Sequence, residues 1–207
     1  MKYYSQFDQD KWLHQNIFPN KTKGYFVDIG AYDGVHCSNT KFFEDQGWSG
    51  VCVEPLPRAF KTLQKNRTCV CKQGVISHFK EDEVEFCDID GYCEMLSGIV
   101  ANYSEEHKRR IVSEEHINGG SIRSKIKVKN LTFSDITNNT EIDLLDIDTE
   151  GGELDILKNI DFNKYKIFCI LVENNYDDGS LNSFLTSKNF RLKHSLVCDQ
   201  VYINNKE

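Results

Sequence analysis

No stretch of this chain approaches the ~18 consecutive apolar residues that a membrane-spanning helix needs. Residues 1–8 are polar and lack the apolar centre of a secretion signal. Those two absences lead to the expectation of a soluble, cytoplasmic protein with no membrane span. Basic charge is also scarce: 25 Lys and Arg stand against 32 Asp and Glu, for a net charge of −7. Nothing in that balance offers an electrostatic footprint for nucleic acid. The one basic cluster, at 107–110, is flanked by Glu105, Glu106, Glu114 and Glu115, and reads as the solvated face of a mixed-charge helix. The eight cysteines form no C-x-x-C pair and no zinc-ligand spacing. Those at 52, 69, 71 and 169 sit in apolar strand patterns, where a reduced thiol serves as a small hydrophobe. Repeats and low-complexity linkers are missing too, so the 207 residues read as a single domain.

What is there is an alternation of strands and helices. Residues 24–29 are almost continuously apolar, as in a strand buried on both faces. A helix over 38–46 follows, with Ser38 or Asn39 as cap and Gly47 as its stop. A strand over 51–54 leads to a helix opened by Pro57, and a third strand spans 68–71. From 74 to 130 the pattern changes. Segments 74–77 and 83–86 suggest a hairpin, 121–129 alternates like an exposed strand, and a charged helix lies near 105–113. Residues 91–120, with the glycine pair 119–120, read as an inserted lid or substrate loop. Regularity then returns, with strands over 142–148 and 167–173, helices over 153–160 and 181–188, and a closing antiparallel pair over 190–197 and 200–203. Trp12 and Trp48 read as core.

The sharpest signal is Tyr25-Phe26-Val27-Asp28-Ile29-Gly30-Ala31-Tyr32-Asp33-Gly34, followed by Val51-Cys52-Val53-Glu54-Pro55. A strand runs into a glycine-bearing turn, and the next strand ends on a carboxylate able to hold both hydroxyls of a ribose. No Lys or Arg stands beside the glycines, and Asp28, Asp33 and Glu54 make the turn acidic. Such a turn repels pyrophosphate and suits a cationic ligand, which favours S-adenosylmethionine (SAM) over NAD or ATP. Further acids close the later strands at Asp146, Asp148, Glu150 and Glu173. In an open α/β sheet all of these strand ends meet at one edge.

Taken together, these segments, with Tyr4-Ser5-Gln6-Phe7-Asp8-Gln9-Asp10, Ser38-Asn39-Thr40, Gly47-Trp48-Ser49-Gly50 and the run from Ile142 through Asp148-Thr149-Glu150-Gly151-Gly152-Glu153, resemble the FkbM family of SAM-dependent O-methyltransferases. The resemblance covers most of the chain and fades over 91–120. It implies an α/β, Rossmann-like seven-stranded methyltransferase fold, mostly parallel with an antiparallel last strand. It also implies a sugar or natural-product hydroxyl as acceptor, as in glycan-decorating members from bacteria and large DNA viruses. By position, Asp28, Gly30 and Asp33 are expected at the methionine end of SAM, Glu54 at the ribose, and Pro55 and Leu56 beside the adenine. Asn39, with Gln6 or Asp10, is expected to close over the methionine. For Tyr32, cofactor stacking and core packing both stay open.

Methyl transfer to an alcohol needs a base, or a cation that lowers the hydroxyl's pKa. Asp148, Glu173 and Asn174 make an oxygen-ligand set suited to Mg²⁺ or Mn²⁺, similar to that of catechol-type methyltransferases. Asp148 or Glu150 is then the expected base, with His78 and His116 as weaker candidates. Two alternatives remain: a non-catalytic SAM-fold module, and an NAD-dependent oxidoreductase, which the lack of a full G-x-G-x-x-G disfavours.

Overall fold

The computed structural model describes residues 1–118, 120–175 and 179–205. Gly119, half of the expected glycine pair, lies outside them. In chain order, α1 (Gln9–Asn16), β1 (Tyr25–Ile29), α2 (Lys41–Asp45), β2 (Ser49–Glu54), α3 (Pro57–Asn66) and β3 (Val70–Gln73) come first. Then follow β4 (Val75–Ile76), β5 (Glu83–Gly91), β6 (Gly98–Ile99), α4 (Glu105–Asn118) and β7 (Ser121–Leu131). The chain continues through α5 (Phe133–Ile136), β8 (Glu141–Ile147), α6 (Glu153–Lys158), β9 (Lys166–Glu173), α7 (Ser180–Ser187), β10 (Phe190–Leu196) and β11 (Asp199–Asn204).

Seven strands form the main sheet, in the order β10-β11-β9-β8-β1-β2-β3. β1 pairs in parallel with β2 and with β8, β8 with β9, and β2 with β3. β11 runs antiparallel to both β9 and β10. The chain thus begins at the sheet centre, builds outward to β3, and returns to the other side of β1. The switch point falls between β1 and β8, and the carboxyl ends of β1, β2, β8 and β9 share one edge. The expected mostly parallel, seven-stranded architecture is the one observed.

Both faces of the sheet are covered. On one, Val27, Ile29, Leu145 and Ile147 pack against Ile156 and Leu157 of α6 and Leu181 and Leu185 of α7. On the other, Phe26, Leu144 and Cys169 meet Leu13 of α1, Phe42 and Phe43 of α2, and Trp48. Strand periodicity puts Asp28 and Asp146 on this second face too, in register on neighbouring strands. Two acids are therefore set into an otherwise apolar layer. Trp48 is core as expected, whereas Trp12 is half-buried on α1 and stacks on His194 of β10, with ring centroids 4.4 Å apart.

The block between β3 and β8 departs from the expected hairpin of 74–77 with 83–86. β5 instead pairs with β7 over nine positions, from Glu83 opposite Lys129 to Gly91 opposite Ser121. β4 joins the end of β7 in parallel, and β6 lies on the outer side of β5. The alternation explains the choice. Val84 and Phe86 face Val128 and Ile126 on one side, while Glu83 and Glu85 face Lys129 and Lys127 on the other. A nine-residue register with matched charge outweighs a two-residue one. The apolar side of this small sheet packs on Leu56 and Ala59 at the start of α3, beside the carboxyl edge of the main sheet.

Candidate functional site

At the edge, the turn after β1 is held by contacts to its neighbours. Gly30 has φ of 99°, and a Cβ there would overlap the Asp148 carbonyl, so glycine is required by the approach of the β8 segment. Gly30 and Ala31 both donate N–H to the Val53 carbonyl at 3.0 Å. Glu54 then joins two turns. Its Oε2 accepts the Tyr32 N–H at 2.9 Å and its Oε1 accepts the Leu56 N–H at 2.8 Å. Burial pushes this carboxyl up to about 7 against those two hydrogen bonds.

Over Glu54 opens a cleft of about 760 Å³, open solvent included. Gly30, Tyr32, Glu54, Pro55 and Leu56 line one side, Ile76, Phe86 and Ile99 make an apolar wall, and Asp148 and Glu150 stand at the far end. Tyr32 is part of the site: it has φ of 48°, and its hydroxyl donates to Glu94 at 3.1 Å. The inserted sheet therefore forms half of the cleft.

Other expected cofactor residues sit elsewhere. Asp28 lies beneath the turn, where it accepts a hydrogen bond from Thr40 and faces the Arg67 guanidinium at 3.7 Å. With Asn39, Asp146 and Asp148 it also borders a small side cavity. Asp33 folds its own loop, accepting the N–H groups of Val35 and His36 at 2.8 and 2.7 Å. Asp10 is fully buried and accepts the Tyr4 N–H at 2.7 Å and the Ser5 hydroxyl at 2.6 Å. It acts on the N-terminal segment, which pairs Ser5 with Cys37 and leaves Gln6 facing a large cavity near Asn39.

The turn after β8 carries the second feature. Glu150 has φ of 56°, and Gly151 and Gly152 are left-handed as well. Glu153 holds this conformation, its carboxylate accepting N–H groups from Thr149, Gly151 and Gly152 and the Thr149 hydroxyl. Backbone capping thus falls to Glu153, and Glu150 is turned inward. Ligand oxygens of Asp148, Glu150 and Glu173 all lie within 4.8 Å of one another. Burial and mutual repulsion push Glu150 and Glu173 up to about 8, and Asp148 well above the carboxylate range. Such a donor set fits a hard divalent cation. Asn174, expected as a ligand beside Asp148 and Glu173, donates its amide to Gln200 at 3.1 Å, and Glu150 joins Asp148 and Glu173 as a further carboxylate.

The helix α4 corrects another expectation. Its basic cluster is only partly solvated. Lys108 pairs with Glu105 at the surface, but His107 is 2% exposed and Arg110 reaches Glu150 at 3.0 Å. His107 places Nε2 3.1 Å from the Leu96 carbonyl and Nδ1 3.7 Å from Glu150. Of the other histidines, His78 pairs with Asp155 at 2.9 Å and His116 is exposed in the last turn of α4, both outside the cleft.

A sequence model of the methyltransferase FkbM domain matches residues 28–192, most of the chain. The chain belongs to the FkbM methyltransferase family. Among solved structures, the methyltransferase FkbM from Methylobacillus flagellatus KT superposes with a TM-score of 0.54 at 11% identity, over 94% of this chain and 50% of that one. At that identity the likeness speaks for the fold, and this chain spans about half the length of that protein. No curated protein matches the sequence.

Within this FkbM chain, Arg67 is a key residue that sequence reasoning passed over. Its side chain is fully buried, 2.8 Å from Glu44, and it donates to Thr40 at 2.9 Å beneath the β1 turn. Burial works against Glu44, yet Arg67 and Lys41 hold it down at about 2. An acid on the inward face of β1 does signal that a buried hydrogen-bonding partner is needed. Only the fold says which one.

Proposed function

We propose that this FkbM-family chain is a SAM-dependent O-methyltransferase acting on a hydroxyl of a sugar or glycan. The observation that carries this reading is Glu54: a buried carboxylate fixed by two backbone N–H groups at the switch-point edge, facing a cleft with an apolar wall. In it, Glu54 accepts the ribose hydroxyls of SAM, and Pro55 and Leu56 border the adenine. Gly30 and Asn39 border the methionine, with Gln6 from the N-terminal segment. SAM supplies an electrophilic methyl on a sulfonium leaving group, so the protein's main task is alignment.

Asp148 and Glu150 stand where the cleft ends, placed to take the proton of the attacking hydroxyl. Asp148, Glu150 and Glu173 would hold Mg²⁺ or Mn²⁺, which supplies Lewis acidity that lowers a hydroxyl's pKa. The residues of the chain do the rest: they orient the acceptor oxygen toward the methyl carbon, and they accept its proton.

The test combines calorimetric titration with SAM and labelled methyl transfer to a panel of mono- and oligosaccharides, with Mg²⁺, with Mn²⁺ and in chelator. Binding lost in Glu54→Ala and cation-dependent transfer are the expected results. SAM binding unchanged in Glu54→Ala overturns the cofactor assignment, and full activity in chelator overturns the cation.

A further inference from the structure

On the face of the main sheet that carries Asp28, Cys52 and Cys69 bring their sulfurs to 3.5 Å. They come from different strands: Cys52 lies within β2, and Cys69 is the residue just before β3, the strand at the sheet's edge. The two are not equivalent. Cys52 is fully buried, whereas Cys69 is half-buried and stands next to Val70, which is 54% exposed. Cys71 lies opposite Cys52 in the parallel register, but its thiol donates to the Cys69 carbonyl at 3.6 Å.

The surroundings hold the pair in place. Glu44 accepts the N–H groups of Thr68 at 2.9 Å and Cys69 at 2.8 Å, which fixes the backbone at Cys69. Behind the pair, the Cys52 sulfur lies 3.9 Å from Asp28. Arg67, two residues before Cys69, is buried between Asp28 at 3.7 Å and Glu44 at 2.8 Å. The hydrogen bond with Cys52, helped by the Arg67 charge, holds the Cys69 thiol below its ordinary value against burial. Burial pushes Cys52 well above that value, and Cys71 up to about 11. A thiolate-prone sulfur at the accessible edge, with a protonated thiol in contact behind it, is how an attacking and a resolving cysteine are arranged. Thiols that only fill an apolar layer need neither the contact nor the asymmetry.

We propose that Cys52 and Cys69 form a reversible oxidation site, at which a peroxide converts the two thiols to a disulfide that staples β3 to β2. The Cys69 thiolate attacks one oxygen of hydrogen peroxide, the O–O bond breaks, and Cys69 becomes a sulfenic acid as hydroxide leaves. The Cys52 sulfur then attacks the Cys69 sulfur, the S–O bond breaks, and the hydroxyl departs as water with the Cys52 proton. The hydroxide from the first step takes up the proton that Cys69 gave up. Over both steps the two thiols lose two electrons and two protons, and the peroxide is reduced to two waters. A dithiol reductant reverses the change by exchange. The sulfurs must close to about 2.05 Å, and Cys69 is the one free to move, since it precedes the edge strand while Cys52 is locked in the sheet interior. The bond removes the Cys52 proton from beside Asp28 and clamps the strand that ends, two residues on, at Glu54. It stands apart from the methyl-transfer reading.

The experiment takes the full chain, reduced and then freed of reductant, and adds hydrogen peroxide. Remaining thiols are alkylated and the peptides mapped by mass spectrometry. A link between the peptides carrying Cys52 and Cys69 is expected, lost again on adding dithiothreitol. Cys52→Ser is expected to stop at a sulfenic acid on Cys69, trapped by dimedone, and Cys69→Ser to give neither product at these positions. Cys71→Ser is expected to leave the link intact. Before oxidation, Cys69 should react with iodoacetamide about tenfold faster than Cys71. Melting curves confirm that the variants fold, and Cys52→Ala, which puts no polar group in the buried seat, repeats the trapping. No link at millimolar peroxide, a link that joins other cysteines instead, or dimedone carried by Cys71 in place of Cys69 overturns the proposal. No step of the test contains SAM, so its outcome is separate from that of the cofactor reading.

Discussion

Arg110 on α4 places Nη1 3.0 Å from Oε2 of Glu150, so the inserted helix delivers a positive charge to the turn that ends β8. Glu150 is pushed up to about 8 even with that charge beside it, because burial and Asp148 act the other way. Arg110 thus acts, from the inserted helix, on the protonation of a group placed to serve as base.

Replacing the guanidinium by a neutral amide is expected to raise the pKa of Glu150 further. In Arg110→Gln, the alkaline rise in methyl-transfer rate should move up by about one pH unit. A pH–rate profile checks this, and an unmoved profile with a lower plateau would assign Arg110 to packing alone.

Glu54 offers a second pH test. Its carboxyl sits at about 7, and the ionised form is the better acceptor for two ribose hydroxyls. SAM affinity is expected to weaken as pH falls through 7 in the wild type. Glu54→Gln should bind SAM at least tenfold more weakly and show no such slope. Calorimetry at pH 6 and pH 8 distinguishes the two.

The carboxyl cluster predicts how stability responds to pH and cations. Glu150 and Glu173 rise from an ordinary 4.5 to about 8 in the folded protein. A raised carboxyl contributes stability that is fully present below pH 4.5 and is lost as pH climbs through 8. In chelator, the melting temperature should therefore fall between pH 6 and pH 9. Millimolar Mg²⁺ at pH 8.5 should restore it by several degrees, with release of protons at neutral pH. A melting temperature blind to Mg²⁺ and Mn²⁺ at pH 8.5 counts against a cation site there.

Arg67 carries the largest expected cost. Arg67→Met leaves Asp28 and Glu44 buried without their cation, and a loss of about 3–5 kcal/mol is expected in urea unfolding. Adding Glu44→Gln to that variant should recover part of the loss, which a simple cavity effect would not do.

Much of this arrangement was legible in the chain. Local signals are strongest where one segment meets its own neighbours, as Glu54 meets the Leu56 N–H, and the strand periodicity put Asp148 and Glu173 at one edge. What stayed hidden depends on contacts between distant residues. Nothing near Asp28 in sequence names Arg67 as its partner. The pairing of β5 with β7 spans a loop of 29 residues and is decided by register, which no short window contains. Glu150 comes beside Asp148 and Glu173 from a turn whose left-handed path Glu153 holds, and backbone direction of that kind does not follow from residue type. The 107–110 cluster misled for a related reason: its surroundings in the chain are charged, whereas its surroundings in space are Leu96 and Glu150.

The contact between Gln9 and Asp199 joins residues 190 positions apart. During synthesis the N-terminal part emerges and begins to fold first. Gln9, which accepts the Phe7 N–H, then waits, for nearly the whole time of translation, for the carboxylate to which its amide donates. The cleft over Glu54 is lined only by positions 29–156 and can close earlier. A nascent chain halted before β11 would thus carry every lining residue of that cleft while Gln9 still lacks its Asp199 partner.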